Sequence, residues 1–339
     1  MRVLITGGAG YIGGMLVARF LKESQVEGVF SFDFEACPEE LSHNKKLIWF
    51  SGDLADQNWI PKAEAFNPDV VIHTAFKIRQ GYGRKLADQE RFNLRGSKNV
   101  FEFCFNHQVK KLVYFSSISA YGAYSTNSIS RRLNESDPLK ESKFVYGLHK
   151  KEVEEDLRSL YEHYNEKLKS GQISFLPQVL VVRPSSISGP RAKSTYSRFG
   201  LLDILTRRLP FIPSIRPGLV RQFVHEDDIE DAVAFLVFES IPGAYEIFNL
   251  SSNEILTDRD IGKLFSKPVI KVPQWLAKII LIFTWHLSRG KIPVPPEAVR
   301  FLAYPIPVDG TKINHCGFQY RYSSTGALLG EKGRYKSNG

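Results

Sequence analysis

The stretch from Arg2 to Gly13, RVLITGGAGYIG, determines how the rest of the chain is interpreted. The run VLIT is apolar or β-branched, as in a buried strand, and Gly8, Gly10 and Gly13 follow at once. Glycines with this spacing at a strand-to-helix junction allow a tight turn, close approach of the backbone to a pyrophosphate, and close packing of the helix on the sheet. The helix N-terminus adds unpaired N–H groups for the anion. The segment therefore predicts a dinucleotide site.

An acidic residue completes this pattern twenty residues after Gly13. Asp33 ends the second predicted strand, where its carboxylate can accept hydrogen bonds from the adenosine ribose hydroxyls. The same charge would repel a 2′-phosphate, and neither the glycine loop nor the three residues after Asp33 contains Arg or Lys. We therefore expect NAD as the cofactor rather than NADP.

Short β-branched runs alternate with longer segments of helical period through the first 190 residues, which is typical of βαβ units stacked into a parallel sheet. After Pro190 prolines become frequent and the alternation stops, which indicates a smaller second lobe. We expect an α/β fold, a Rossmann-type doubly wound parallel sheet with a smaller, interleaved C-terminal substrate lobe. The predicted strands are Arg2–Thr6, Val29–Asp33, Leu47–Phe50, Val70–His73, Lys111–Ser117 and Gln178–Arg183, and the predicted helices are Ile12–Glu23 and Phe144–Lys167.

The domain division follows from the same pattern. Residues 1–190 are predicted to form the NAD-binding Rossmann domain, and residues of about 222–250 resemble returning pieces of it. Residues 191–221 and 251–339 are predicted to form the substrate-binding lobe.

The composition excludes several classes of protein. The 339 residues include 45 Lys and Arg against 36 Asp and Glu, a formal charge of +9, but the basic residues are scattered and form no long run. We therefore expect no nucleic-acid partner. Three distant cysteines without a CxxC pair argue against a disulfide framework and a zinc site, and they fit a reducing cytoplasm. The opening MRVLITGG lacks the pattern of a secretory signal, so a cytoplasmic location is expected.

A second motif indicates chemistry. Tyr146 and Lys150 stand at i and i+4 of the predicted helix, so both side chains project from one face. A phenol must have its pKa lowered by about three units, or about 4 kcal/mol, to serve as an acid or base near neutral pH. A nearby ammonium does this electrostatically. Ser117, at the carboxyl end of the fifth predicted strand, would hold the reacting oxygen of the substrate.

With these features together, the chain resembles the extended short-chain dehydrogenase/reductase family, also called the NAD-dependent epimerase/dehydratase family. The resemblance runs through essentially the whole sequence in the expected order. It is carried by TGGAGYIG at 6–13, GDL at 52–54, HTAF at 73–76, NLRGSKN at 93–99, FSSISAYG at 115–122, YGLHK at 146–150, VRPSSISGP at 182–190, QFVHEDDI at 222–229 and VDGTKINHCGF at 308–318.

The resemblance implies roles for individual residues. It implies that Ser117, Tyr146 and Lys150 are catalytic and that Asn93, as a neighbour of the active site, belongs to the catalytic set. The cofactor contacts it implies are Gly7, Gly10, Tyr11, Ile12, Gly13, Asp33, Asp53, Leu54, Thr74, Ala75, Phe76, Asn93, Ser116, Tyr146, Lys150, Pro184, Ser185 and Ser186.

Among the reactions of this family, a nucleotide-sugar epimerase is the leading hypothesis. A 4,6-dehydratase is disfavoured because such enzymes carry Asp-Glu after the catalytic Ser or Thr, whereas Ile118 and Ser119 stand here. An epimerase needs only reversible hydride removal and rotation of a keto intermediate. Arg221 and Arg300 stand where family members place arginines that clamp the diphosphate.

Two further hypotheses remain open. One is a dehydrogenase or reductase of a hydrophobic alcohol or ketone, similar to the 3β-hydroxysteroid dehydrogenase branch; the other is a non-catalytic NAD sensor, disfavoured because the catalytic residues are present. The run WLAKIILIFTWHL at 275–287 could lie on a membrane surface, but a core helix of the second lobe is favoured. Besides a small-molecule substrate, a second copy of the chain is a candidate partner. His225, Asp227 and Asp228 are expected to cap a helix rather than bind a metal.

Overall fold

The computed structural model describes residues 1–195, 208–216, 219–292, 294–330 and 333–334. Parts of the predicted substrate lobe, residues 196–207, 217–218, 293, 331–332 and 335–339, lie outside these described residues. The strands are β1 Arg2–Thr6, β2 Gly28–Asp33, β3 Leu47–Ser51, β4 Val70–His73, β5 Lys111–Phe115, β6 Gln178–Pro184, β7 Ser186–Ser188, β8 Ile212–Ser214, β9 Val220–Arg221, β10 Phe223–His225, β11 Tyr245–Leu250, β12 Leu256–Thr257 and β13 Val269–Lys271.

The helices alternate with these strands through the first half of the chain. They are α1 Tyr11–Phe20, α2 Glu39–Ser42, α3 Ile60–Phe66, α4 Lys85–Asn106, α5 Val145–Lys169, α6 Pro190–Thr195, α7 Glu226–Phe238, α8 Asp258–Leu264, α9 Gln274–Leu287, α10 Val299–Ala303, α11 Lys312–His315 and α12 Ser324–Leu329, with 3₁₀ turns at Ile118–Tyr121 and Pro296–Ala298.

A seven-stranded parallel sheet in the order β11-β6-β5-β4-β1-β2-β3 forms the centre of the molecule. The predicted Rossmann-type fold is confirmed. The strand order reverses between β1 and β4, where Thr6 is paired with Phe32 on one side and His73 on the other. Ligands of such sheets bind beyond the carboxyl ends of the strands at this reversal, so the site is expected at the end of β1.

Strand residues alternate between two apolar layers. Val3 and Ile5 face the layer that contains Leu236 of α7, whereas Leu4 faces the layer that contains Phe101 of α4. Burial on both faces explains the continuous apolar runs of the strands. A buried ion pair between Glu154 of α5 and Arg183 of β6 fixes helix α5 to the sheet, with Arg183 Nε 3.0 Å from Glu154 Oε1.

After β7 to β10, which lie outside the large sheet, the chain rejoins this sheet, because β11 pairs with β6 along six residues. The second lobe is built of short pieces, namely β12 on β9 and β13 on β8, around a small apolar cluster. This cluster contains Ile212, Phe223, Leu256, Ile261, Ala327 and Leu328.

The expectation that 275–287 is a core helix is wrong. Helix α9 buries Trp285, whereas most of its other large apolar side chains are exposed. A helix with apolar residues around most of its circumference is usually a core helix, so the sequence pattern alone favoured burial. No helix in the described part of the chain is long and apolar enough to cross a membrane.

Candidate active site

The glycine turn at the end of β1 is shaped as its sequence predicts. Gly7 has a φ of +82°, a backbone conformation that residues with a Cβ rarely adopt. Gly10 N donates a hydrogen bond to Gly7 O over 2.9 Å, and a Cβ on Gly13 would lie 1.9 Å from that same oxygen. The turn therefore requires glycine at both ends, and it leaves the N-terminus of α1 open to an anion.

Asp33 ties this turn to the end of β2. One carboxylate oxygen accepts a hydrogen bond from Ala9 N and the other accepts one from Glu35 N, each over 3.0 Å. An ionised carboxylate offers about four acceptor positions, so further hydrogen bonds from ribose hydroxyls are available. The residues at this corner thus fit the adenosine half of NAD.

A cleft of about 810 Å³ runs from the glycine turn along the carboxyl ends of the strands to the second lobe. The structure brings most of the predicted site residues together along it. Those that line it are Gly7, Gly10, Tyr11, Ile12, Gly13, Asp33, Leu54, Thr74, Ala75, Phe76, Ser117, Tyr146, Pro184, Ser185, Ser186 and Arg221. Among the described residues, the buried hydroxyl of Ser185 has no hydrogen-bond partner, which suits a polar ligand in the cleft.

Five predicted site residues do not line the cleft, namely Asp53, Asn93, Ser116, Lys150 and Arg300. Asp53 pairs with Arg91 and accepts a hydrogen bond from Ala55 N over 2.9 Å, so its carboxylate orders the loop after β3. Ser116 and Lys150 are buried behind the wall of the cleft.

Lys150 is buried behind the wall of the cleft. Its ammonium donates a hydrogen bond to Phe115 O over 2.5 Å and lies 3.5 Å from the centre of the Phe76 ring. Burial lowers the pKa of Lys150 well below its usual value, and the Glu154 carboxylate opposes this shift. At this position a positive charge that is removed from water lies behind the base of the cleft, where it favours a negative charge nearby.

Tyr146 lies on the same face of α5 as Lys150, and it lines the cleft. Its ring meets Phe76 edge to face, with ring centres 5.9 Å apart. The next residue is a glycine for a steric reason, since a Cβ on Gly147 would lie 2.6 Å from Ser119 O. Helix α5 therefore docks closely on the 3₁₀ turn that follows Ser117.

Ser117 caps that 3₁₀ turn, and its Oγ accepts a hydrogen bond from Ser119 N over 3.1 Å. This contact orients the hydroxyl and leaves its proton available for donation to a substrate oxygen. Tyr146 and Ser117 thus both line the cleft, and the Lys150 ammonium lies behind its wall.

Asn93 has a structural contact that its predicted catalytic role did not describe. Its Oδ1 accepts from Lys77 N over 2.8 Å, and its Nδ2 donates to Lys77 O over 3.1 Å and lies 3.2 Å from His149 Nδ1. The amide holds the backbone of Lys77, which lines the cleft. Burial lowers the pKa of His149, so this histidine is disposed to remain neutral.

His73, in the HTAF motif, belongs to the scaffold of the cleft. Its ring nitrogens lie 2.7 Å from Thr6 Oγ1 and 2.9 Å from Ser97 Oγ, joining β1, β4 and α4. Burial, together with the Lys150 charge, lowers the pKa of His73 to about 3. A neutral imidazole therefore fixes the end of β1, next to the glycine turn.

A buried carboxylate connects the glycine turn to the start of the second lobe. Glu226 accepts hydrogen bonds from the Tyr11 hydroxyl, from Arg191 N over 2.9 Å and from Ala192 N over 3.0 Å. The neighbouring Gly189 has no room for a side chain, since a Cβ there would lie 2.4 Å from the carboxyl carbon of Glu226. No sequence motif indicated that Glu226 connects the glycine turn with the start of the second lobe.

The two arginines predicted to contact substrate lie in different surroundings. Arg221 lines the cleft, and its Nη1 donates to Phe301 O over 3.2 Å. Burial lowers its pKa, against the opposing charge of Asp258. Arg300 instead pairs with buried Glu141 over 3.5 Å and stacks 4.4 Å from the centre of the Tyr124 ring. The structure therefore brings Arg221, but not Arg300, to the cleft.

The second lobe supplies a wall that no motif identified. Its members are mostly apolar and come from a stretch without a family motif: Val294, Pro295, Ala298, Phe301, Tyr304, Pro305 and Ile306. Lys77 and Phe144 also line the cleft and were missed. Only tertiary packing brings these positions to the cleft, so the sequence carried no local signal for them.

The HEDD segment behaves as a cap. His225 is the N-cap of α7, and its Nδ1 accepts a hydrogen bond from Asp227 N over 3.1 Å, which confirms the predicted capping role. Asp228 accepts from Arg321 N and Tyr322 N over 2.9 and 3.1 Å. Within the described ranges, no group of three potential metal ligands comes together.

The cleft beside the glycine turn, with Tyr146 on its wall and Lys150 buried behind it, fits an NAD-dependent enzyme, and comparison with known proteins gives the same class. The family model described as "NAD dependent epimerase/dehydratase family" matches residues 3–251. The chain belongs to the NAD-dependent epimerase/dehydratase family, whose members are enzymes, as predicted.

Relatives within the family have different substrates. A dTDP-D-glucose 4,6-dehydratase of Dictyostelium discoideum is 23% identical over 77% of this chain and 61% of its own length. A decarboxylating sterol-4-alpha-carboxylate 3-dehydrogenase of Candida albicans is 32% identical over 34% of each chain. The chain thus spans at most about three fifths of these two relatives.

The crystal structure of a UDP-glucose 4-epimerase from Thermotoga maritima superposes with a TM-score of 0.70 at 20% identity, covering 97% of both chains. This likeness establishes the fold.

Proposed function

We propose that the protein is an NAD-dependent epimerase that oxidises and re-reduces one carbinol carbon of a sugar linked to a nucleoside diphosphate. The single observation that carries the substrate class is Arg221. Its guanidinium is a half-buried cation on the wall of the cleft that also contains Ser117 and Tyr146. A desolvated guanidinium favours an anionic partner, and its planar fork suits phosphate oxygens.

The residues divide the chemistry among them. Ser117 holds the substrate hydroxyl, Tyr146 removes its proton, and the Lys150 ammonium stabilises the phenolate that accepts it. NAD held by the glycine turn would accept the hydride from the same carbon and return it. The buried Lys150 keeps its position because it donates to Phe115 O, so the charge that assists Tyr146 is fixed before substrate arrives.

Epimerisation needs no acid or base beyond this set. Rotation of the keto intermediate before hydride return inverts the carbon, and Tyr146 then gives its proton back. Elimination of water would need a further acid and base, but Ile118 and Ser119, which follow Ser117, supply no carboxylate.

The test is calorimetry with UDP, TDP and GDP. A charge-assisted contact contributes about 1.5–3 kcal/mol, so Arg221→Ala should weaken nucleotide binding by roughly tenfold to a hundredfold. NAD affinity should change little. Arg300→Ala is the matched control, because that side chain pairs with Glu141 outside the cleft. If no nucleoside diphosphate binds the unaltered protein at millimolar concentration, the epimerase proposal fails.

A second candidate function is favoured by the apolar wall. Val294, Ala298, Phe301 and Ile306 surround the substrate end of the cleft, and such a lining suits a hydrophobic alcohol or ketone. In that case the protein would be a dehydrogenase that releases the ketone, and binding would depend neither on Arg221 nor on salt. Assaying NAD reduction with sterol and long-chain secondary alcohols distinguishes the two functions.

A further inference from the structure

Helix α9 carries an exposed apolar stripe. Trp275, Ile279, Phe283 and Leu287 stand at successive i, i+4 positions, and 65%, 41%, 69% and 89% of their respective surfaces are exposed. Residues with this spacing lie on one face of a helix. A continuous exposed apolar stripe marks an interaction surface.

The opposite face of α9 is packed against the protein. Trp285 is buried against Tyr82, with ring centres 5.8 Å apart, and the Tyr82 hydroxyl lies 3.1 Å from His286 Nδ1. Helix α9 also packs on the Pro296–Ala298 turn and on α10, which contribute Ala298 and Phe301 to the cleft wall. The stripe is therefore held on the outer side of the wall that bounds the substrate end.

The segment of sequence that contains the stripe carries charges of one sign only. The sequence contains no Asp or Glu between residues 261 and 296. The same segment contains six basic residues: Lys263, Lys267, Lys271, Lys278, Arg289 and Lys291. An apolar face flanked by cations is typical of a helix that lies in the interface of an anionic membrane.

A basic cavity of about 540 Å³ adjoins the C-terminal end of α9. Five cationic side chains line it, namely Lys77, Arg79, Lys85, Arg289 and Lys291, with one carboxylate, Asp88. Its dimensions and charge suit a phosphate-bearing headgroup. Because Lys77 and Ile78 line both this cavity and the catalytic cleft, the two are adjacent.

We propose that α9 docks the enzyme on an anionic phospholipid bilayer, with the apolar stripe among the acyl chains and the basic cavity beside the headgroup phosphates. The helix lies along the surface, since no helix in the described ranges can cross a membrane. A second copy of the chain fits this surface poorly, because it would bring two basic surroundings of the same sign together. This docking goes beyond the proposed reaction and is independent of the substrate.

Flotation with lipid vesicles tests the docking. The full chain, with NAD present, is mixed with vesicles of phosphatidylcholine alone or of phosphatidylcholine with phosphatidylglycerol. We expect flotation with the anionic vesicles, weaker by about tenfold or more with the neutral vesicles and reduced by added salt. Blue-shifted tryptophan fluorescence, absent in Trp275→Phe, would place this side chain in the bilayer.

Substitutions separate the two parts of the surface. Trp275→Ser/Phe283→Ser should weaken binding by about tenfold or more through lost apolar insertion. Arg289→Gln/Lys291→Gln should lower affinity for the anionic vesicles only. The matched controls are Ile48→Ser/Ile129→Ser, two exposed apolar residues elsewhere, and Lys45→Gln/Lys169→Gln, two exposed lysines elsewhere; both should bind as the unaltered protein does.

Three outcomes would overturn the proposal. The first is no flotation of the unaltered protein with anionic vesicles. The second is flotation of the Trp275→Ser/Phe283→Ser variant with anionic vesicles to the same extent as the unaltered protein. The third is a self-association, measured by analytical ultracentrifugation, that this variant abolishes while vesicles have no effect, since the stripe would then be an interface between copies of the chain.

Discussion

The ammonium of Lys150 lies 3.5 Å from the centre of the Phe76 ring, so the face of an aromatic side chain covers a buried charge behind the wall of the cleft. The same ring touches Tyr146 edge to face. Phe76 therefore contacts both members of the pair that the sequence pattern identified.

Replacing Phe76 by Leu keeps an apolar side chain but removes the ring. A cation over an aromatic face gains about 0.5–2 kcal/mol, so the pKa of Lys150 should fall further, by roughly 0.4–1.5 units. The alkaline limb of the pH–rate profile should move to lower pH by that amount. Phe34→Leu, at another ring of the cleft, is the control. An unchanged alkaline limb in Phe76→Leu would mean that the ring does not affect Lys150.

Tyr146→Phe should retain the fold and NAD affinity and lose turnover by about a hundredfold or more, the usual effect of removing an acid–base group. Turnover is measured on the substrate that the nucleotide-sugar and alcohol panels identify, and NAD affinity by fluorescence titration. Near-normal turnover would remove Tyr146 from the mechanism.

Lys150→Met should stabilise the cofactor-free protein while inactivating it. Burial lowers the pKa of Lys150 in the folded state. Between this lowered pKa and about 10.5, the folded protein therefore binds fewer protons than the unfolded chain. The stability of the unaltered protein consequently rises with pH in that window. At neutral pH we expect Tm to increase by about 2–4 °C, the change that about 1 kcal/mol produces in a large domain. The increase in Tm caused by Lys150→Met should become smaller above pH 9. Lys98→Met, at an exposed lysine, should not change Tm. A lower Tm for Lys150→Met at neutral pH would contradict the direction of this shift.

Asp33→Ser should narrow the preference for NAD over NADP by relieving repulsion of the 2′-phosphate. Affinities for both cofactors are compared by titration of the unaltered protein and the variant. Tighter binding of NADP by the unaltered protein would exclude the proposed contact of Asp33 with the ribose.

Gly13→Ala should abolish NAD binding and destabilise the fold by about 1–3 kcal/mol or more, because the added methyl group would overlap Gly7 O. Gly326→Ala is a matched control in α12, where the nearest atom would lie 3.8 Å from the new Cβ. Retention of normal NAD affinity in Gly13→Ala would show that the turn adapts.

Local motifs predicted the parts of the site that one segment builds alone. The glycine turn needs the positive φ of Gly7 and the absence of a Cβ at Gly13, and a Tyr and Lys four apart must share a helix face. Such features are visible in the sequence because the physical requirement and the residue that meets it are neighbours. The roles assigned to these residues stay predictions until the variants are measured.

Features that depend on tertiary packing could not be predicted in the same way. Arg221 and Arg300 both matched family positions, yet Glu141, more than 150 residues before Arg300, determines where Arg300 lies. The burial of α9 was predicted wrongly for a related reason. Its composition matches a core helix, and periodicity does not say whether another element covers the apolar face.

Glu226 receives hydrogen bonds from Tyr11 in the glycine turn and from the first turn of α6 in the predicted substrate lobe, so one carboxylate belongs to both halves of the cleft. We expect a ligand that shifts Tyr11 to shift the start of that lobe as well, so the two halves of the cleft are coupled. The expected consequence is that filling the dinucleotide half of the cleft and filling the substrate half each change the affinity of the other by the same factor.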